Sequence, residues 1–358
     1  MTRRLSFSKA ALFSLSIAAA AGAESQEPPQ ALRLPLKEGS VRFAVIGDTG
    51  TASRGQYEVG GQMAAFRKQV AFGFVIMLGD NIYGADSAQD YQTKFELPYK
   101  ALLDGGVKFY ASLGNHDSSS QRFYQYFHMG GQRFYTFKPK AGVRFFALDS
   151  NYMDKPQLDW IEKELAASGS EWKICYFHHP LYSSASKHGS SLDLRALLEP
   201  IFVQGGVDAV FSGHDHAYER IKPQQGIHYF VSGAGGSLRK GNLRPEEFSA
   251  AGYDQDFEFM LIEIDGQDMY FQTVTRTGQT VDSGVIHKER GVPADAAAAP
   301  LPPEPGAAVV SPVPVGPTPA PTTPDLSPAP APVPTPTPTP SPKPAPKPKP
   351  TPKPTPTS

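Results

Sequence analysis

Residues 207–216 read VDAVFSGHDH: an apolar run, a Ser-Gly turn and two histidines one residue apart. The run is β-branched and aromatic without helical spacing, which predicts a buried strand. Residues two apart on an extended chain point to one side, and a tight turn lets both reach one point. His214 and His216 are therefore expected together at a strand end. The same design recurs upstream. VRFAVIGD (41–48), FGFVIMLGD (72–80), VKFYASLGNH (107–116) and WKICYFHHP (172–180) are buried-strand patterns that close on Gly-Asp, Gly-Asn-His or His-His-Pro.

Between these runs lie amphipathic stretches of helical spacing: GQMAAFRKQVAF (61–72), YQTKFELPYKALL (91–103), QLDWIEKELAAS (157–168) and LDLRALLEPIF (192–202). Alternation of strand and helix predicts an α/β fold with mainly parallel pairing in its first half. In such sheets the carboxyl ends of the strands meet at one edge, where sites form. RFYTFKPKAGVRFFALDS (133–150) predicts a hairpin turning at KPKAG. After residue 225, IHYFVSGAGG, FEFMLIEID and DMYFQTVT follow one another without helices, which predicts an antiparallel meander.

Composition bounds the rest. A chain of 358 residues with 40% hydrophobic and 11% aromatic content can fill a sizeable core. A formal charge of -1 leaves no global field, so nucleic acid and anionic membranes are not expected as partners. Residues 1–23 place Arg3, Arg4 and Lys9 before the apolar ALFSLSIAAAAGA, the pattern of an export signal cleaved after about Ala23. A membrane anchor is the alternative, but the run is shorter than the roughly 20 apolar residues a span needs. No span is expected after cleavage, and the destination is periplasmic, secreted or cell-surface. One cysteine, Cys175, excludes an internal disulfide; its apolar surroundings in WKICYFHHP mark it as a buried small residue. From about 293 to 358 the chain turns to Pro, Ala, Thr and scattered Lys, a composition that favours an extended polyproline spacer over a packed core. Contact of its lysines with acidic wall polymers is one role for it; solubilisation is another.

The polar residues that follow the strands are Asp48; Asp80 with Tyr83; Asn115 with His116 and Asp117; His178 with His179; and His214 with His216. Carboxylates gathered at a buried edge lose hydration and need charge compensation, which metal ions supply. Carboxylate, amide and imidazole together suit first-row divalent or trivalent ions, and the set is too large for one tetrahedral ion. Two ions roughly 3.5–4 Å apart sharing a carboxylate is the arrangement used for phosphoryl displacement. Competing chemistries lack their motifs: no G-x-x-x-x-G-K-[ST] loop and no G-x-S-x-G elbow occur. SGAGGSLRKG (232–241) is without the strand-to-helix context of a dinucleotide site, and its glycines are read as making room for backbone.

In order along the chain, GDTG, GDNIY, GNHD, HHP and GHDH resemble the D-x-[HG], GD-x-x, GNH[DE], H and GHxH blocks of the calcineurin-like metallophosphoesterases, over approximately residues 41–290. The resemblance implies mixed β-sheets in a sandwich flanked by helices, a catalytic domain over 40–290, and a dinuclear site at the carboxyl ends of the strands. Gly50 stands where many members carry a histidine, while Tyr83 follows the second aspartate by three residues. That exchange resembles the purple acid phosphatases. It implies Asp48, Asp80, Tyr83 and His216 on iron(III), and Asp80, Asn115, His178 and His214 on a second divalent metal, Fe, Zn or Mn. A phenol with a pKa of about 10 binds as phenolate near neutral pH only to a strongly Lewis-acidic ion, which agrees with iron.

The resemblance further implies an exported acid phosphatase that hydrolyses phosphomonoesters by in-line attack of a metal-bound hydroxide. Asn115 and His116 would act on the phosphate, and His188 on substrate or leaving group. A phosphodiesterase or nucleotide-specific phosphatase on the same centre is an alternative, and a wall-associated binding protein acting through its tail is a second. His179 is expected to be a structural or rim residue rather than a ligand, and Asp117, Tyr152 and Tyr182 are expected at the rim. Substrate-shaping loops are expected at 118–132 and 237–253.

Overall fold

The computed structural model describes residues 32–288; the export-signal and Pro-rich segments read above lie outside them. Along the chain run β1 (Val41–Ile46), α1 (Arg54–Val70), β2 (Phe74–Met77), α2 (Ala88–Tyr91), α3 (Lys100–Asp104), β3 (Lys108–Ala111), β4 (Tyr135–Lys140), β5 (Val143–Ala147), α4 (Lys155–Ala166), β6 (Trp172–Tyr176), α5 (Leu192–Gly205), β7 (Ala209–Ser212), β8 (Tyr218–Ile221), β9 (His228–Ser232), β10 (Ser249–Tyr253), β11 (Glu258–Asp265), β12 (Asp268–Thr275) and β13 (Thr280–His287). They form one sheet in the order β13-β12-β11-β1-β2-β3 and a second in the order β10-β8-β9-β7-β6-β5-β4. β1, β2 and β3 pair in parallel, as do β5, β6, β7 and β9; the flanking strands are antiparallel.

The alternation in each strand explains the layering. In β1, Val41, Phe43 and Val45 face the second sheet and join Phe145, Ile174, Phe211 and Phe230 in a core between the sheets. Ala44 and Ile46 face the other way, against Val59, Met63 and Phe66 of α1. Beyond the second sheet, Phe146, Cys175 and Val210 pack against Ile161 and Leu165 of α4 and Leu198 and Phe202 of α5. Strands buried on both faces must read as continuous apolar runs, and these do. Phe43 meets Phe145 edge-on at 5.0 Å and Phe137 stacks on Phe145 at 4.9 Å; such pairs contribute roughly 0.5–1.5 kcal/mol beyond their burial. The sandwich flanked by helices is therefore the observed fold.

Three details depart from the sequence expectations. The stretch 91–103 is not one helix: α2 runs into a π-helical turn, Gln92–Glu96, and α3 restarts after Pro98. Proline lacks the N–H and clashes with the preceding turn, so the pattern of apolar residues persists while the rod breaks. The meander is real only for β11–β13; β9 leaves it and adds to the second sheet, parallel to β7 and antiparallel to β8. The hairpin turns at Ala141–Gly142, with 138–140 still in β4. Among the described residues no helix is long and apolar enough to cross a membrane.

Candidate metal centre

Asp48 follows β1, Asp80 and Tyr83 follow β2, and Asn115 follows β3, all on one sheet. His178 follows β6 and His214 and His216 follow β7, on the other. The strand ends meet at the seam of the sandwich, where oxygen donors from one sheet face imidazoles from the other. Ligand atoms of Asp48, Asp80 and His178, all buried, lie within 4.8 Å of one another. Tyr83 Oη lies 3.3 Å from Asp48 Oδ1 and 3.2 Å from His216 Nε2. His178 Nε2 lies 2.9 Å from Asn115 Oδ1, 3.0 Å from His214 Nδ1 and 3.5 Å from Asp80 Oδ1. The seven expected donors lie together, Asp48, Tyr83 and His216 in one set and Asp80, Asn115, His178 and His214 in another, with Asp48, Asp80 and His178 linking the two.

The backbone is bent to deliver them. Asp48, Asp80 and His214 have φ of 54°, 51° and 70°, left-handed values that non-glycine residues adopt at a cost and hold only where surroundings over-determine them. Those surroundings are the donors' own hydrogen bonds. His214 N–H donates to Asp48 Oδ2 at 2.8 Å, and His116 N–H donates to Asp80 Oδ1 at 2.9 Å. Gly50 explains the exchange of imidazole for phenol. A Cβ there would stand 2.0 Å from Asn81 O, because the loop after β2 crosses it and Tyr83 N–H donates to Gly50 O at 2.9 Å. No histidine fits at position 50, and the same crossing brings the Tyr83 ring into the site. Gly114 is needed for the same closeness, since a Cβ would fall 2.2 Å from Asp80 N.

Electrostatics fit a cation at this seam. Burial, and then the charge of Asp80, hold the Asp48 carboxyl well above the carboxylate range. Burial, then Asp48 and Asp80, raise the Tyr83 phenol above its ordinary value. Burial also lowers the imidazoles: His178 far down, His214 to about 2 with help from His178, and His216 to about 4 with help from Arg239. Neutral imidazoles are ready donors, and acids that burial discourages from ionising gain most from a neighbouring cation. The donor set and its charge state thus suit bound metal.

Around the cluster, His116 is exposed with its ring 4.9 Å from that of Tyr83, and exposed His188 lies 4.3 Å, ring to ring, from His214. His179 is half-buried, 4.5 Å from the His214 ring, and its Nδ1 shares a 2.9 Å hydrogen bond with Ser150 Oγ. Asp117 turns inward and laces the loops together: its carboxylate accepts N–H bonds from Asn81, Ile82 and Gly114 at 2.8–3.1 Å. Tyr182 is not at the rim. It is buried in the core beneath the second sheet, its hydroxyl donating to Glu199 at 2.6 Å.

Two residues escaped the sequence reading. Buried Asp215, between the paired histidines, accepts from Ser183 Oγ at 2.7 Å and Gly189 N at 3.2 Å, and so tethers the loop that carries His188. Arg239 N–H donates to His216 O at 3.1 Å, and the guanidinium, whose Nη1 is buried without a hydrogen-bond partner, adds positive charge beside His188 and His216. The GHDH block hinted at the first; nothing in SGAGGSLRKG singled out the second. A cavity of about 690 Å³ adjoins the cluster through Asn115 and His179. Its walls come from 149–152 and 191–194 with Arg133, and of the loop 118–132 expected to shape substrate only Ser119 takes part.

Paired mixed sheets closing on carboxylate, phenol, amide and imidazole donors define the metallophosphoesterase class. Residues 41–218 match the calcineurin-like phosphoesterase family model. The chain carries a calcineurin-like phosphoesterase domain and is a phosphoric ester hydrolase, and the family implies a dinuclear metal centre. It is 26% identical over 311 residues to rat tartrate-resistant acid phosphatase type 5, an alignment spanning 70% of this chain and 94% of the relative. It is 26% identical over 247 residues to purple acid phosphatase 17 of Arabidopsis thaliana, spanning 58% and 72%. Among solved structures, the purple acid phosphatase PPD1 of yellow lupin superposes with TM-score 0.58 at 20% identity, covering 71% of this chain and 55% of that one. GAP50, described as the anchor in the inner membrane complex of Plasmodium, superposes with TM-score 0.63 at 19% identity, covering 70% and 90%. The two structural likenesses, at 19% and 20% identity, bear on the fold alone.

Proposed function

We propose that the protein is an exported acid phosphatase of the purple acid phosphatase type, acting on phosphomonoesters. Asp48, Asp80, Tyr83 and His216 would hold iron(III); Asp80, Asn115, His178 and His214 would hold a second metal, Fe, Zn or Mn. Such a pair, when bound, supplies Lewis acidity toward phosphoryl oxygens and water. Asn115 and His116, exposed on the loop after β3, would orient the phosphoryl group. His188 stands beside His214, where it can meet the substrate or pass a proton to the departing alkoxide. Arg239 adds positive charge on the same side. The N-terminal pattern of basic residues, an apolar run and small residues supports export.

The observation that carries this reading is the crossing at Gly50: it excludes an imidazole and sets the Tyr83 hydroxyl between Asp48 and His216. Only a strongly acidic ion makes a phenolate of that buried phenol. The test is the visible spectrum of the purified protein beside its metal content. About two metals per chain and a broad visible band that Tyr83→Phe abolishes are expected. A colourless wild-type protein holding two zinc or manganese ions would leave a phosphoesterase and remove the iron–phenolate assignment.

A further inference from the structure

The cavity beside the donor cluster has an uneven distribution of charge. It begins at Asn115 and His179 and extends between the segment 149–152 and the start of α5. Arg133 is its cation, and that cation is committed: it pairs with Asp149 at 3.2 Å and with Asp154 at 2.7 Å, and it donates to Tyr152 O. Asp149 is further held by Asn151, whose side-chain amide also donates to Leu113 O and Gly114 O, so this wall is pinned to the loop that carries Asn115. Asp193 is exposed on the lining and engages no cation in the described residues. The lining therefore offers carboxylate and no uncommitted positive charge.

It also offers apolar surface. Tyr152 is 67% exposed and Leu192 59% exposed, although the Tyr152 backbone is tied down by Arg133 and by Gln157 Nε2 at 3.1 Å. A ring on a fixed backbone with a bare face is a ready surface for a flat or apolar body, and a carboxylate on the same lining suits a hydroxyl or an ammonium.

Resting on the phosphatase reading above, we infer that this cavity receives the leaving group of the phosphomonoester, and that it takes a non-anionic alcohol with an apolar body while turning away a second phosphate. Nucleoside polyphosphates and pyrophosphate would place a charged leaving group against Asp193 and the saturated Arg133 pair. A phenol or a quaternary-amine alcohol would meet the Tyr152 face and the carboxylate.

The full-length, metal-loaded protein is assayed on phenyl phosphate, phosphocholine, pyrophosphate and ATP, alone and as Asp193→Lys, Asp193→Asn and Tyr152→Ala. Comparing each variant with the parent on the same substrates cancels the intrinsic reactivity of the leaving groups. The ratio of kcat/KM for pyrophosphate to that for phosphocholine should rise about tenfold in Asp193→Lys and by less in Asp193→Asn, and should shrink toward the parent at high salt. Tyr152→Ala should raise KM for phenyl phosphate several-fold with kcat nearly kept. Turnover with ratios and KM unaltered in every variant overturns this inference alone. Parent protein without turnover on all four esters overturns the phosphatase reading, and the inference with it.

Discussion

The two sheets of the sandwich bring different chemistry to one seam. The β1–β2–β3 half supplies carboxylates, a phenol and an amide; the β6–β7 half supplies imidazoles. Neither half alone holds a complete donor set, so the site exists only when the sheets are packed. The acid half also carries the liability: Asp48 and Glu258 are buried carboxyls on that sheet, and burial raises both. Glu258, at the start of β11, meets the other sheet through Ser232 Oγ at 3.0 Å and accepts Ala234 N–H at 3.3 Å. The imidazole half has the opposite bias, because burial drives its protons off. The two biases meet at the seam, where a bound cation would satisfy acids from one side and lone pairs from the other.

The sharpest way to break this comparison is Asp80→Ala. Asp80 lies between the two donor groups, so its loss should remove both metals and cut kcat/KM by about 10³-fold or more. Metal analysis showing two ions retained would overturn its bridging role. Next comes Gly50→Ala, which adds a single carbon where the loop after β2 leaves no space. Overpacking against backbone should cost about 3 kcal/mol or more in thermal or urea unfolding. An unchanged midpoint would mean that the loops are not crossed as described.

A smaller effect follows from Glu258, whose carboxyl is pushed up to about 8, by burial above all. Its folded-state pKa exceeds the ordinary 4.5, so the folded state binds the proton more tightly. The associated stability is fully present below about pH 4.5 and is lost as pH rises through about 8. Glu258→Gln removes this slope. Its melting temperature should match the parent near pH 4 and exceed it by a few degrees near pH 9; parallel curves would refute the assignment. The smallest effect is expected from ending the chain at residue 292, with kcat/KM staying within about twofold if the catalytic domain is independent of the tail. A large loss would make the tail part of the enzyme.

Much of this was legible in the primary structure. β1, β2, β6 and β7 are largely apolar runs, because both faces of each sheet are covered, and an expected donor follows each within a few residues: Asp48, Asp80, His178 and His214. The Gly50–Tyr83 exchange could be read as well, since a missing imidazole and an added phenol are visible as letters. Arg239 was not legible, because a guanidinium in a glycine-rich loop has no periodicity to mark it. The cavity was assigned to other loops for a similar reason: 149–152 reads as a hairpin end and 191–194 as a helix start, and only packing brings them together. Tyr182 was expected at the rim, but it is buried in the core against α5, its hydroxyl on Glu199.

Local sequence by itself determined the strands, the turns at their ends and which polar residues stand there as candidate donors. Those depend on short-range terms: backbone preference, apolar alternation and glycine where chains touch. Tertiary structure alone decided which sheet each strand joins, and with it the division of acids and imidazoles, the move of β9 out of the meander, and the walls of the cavity. Those are choices among distant partners with similar local patterns. They are settled by which arrangement buries the most apolar surface.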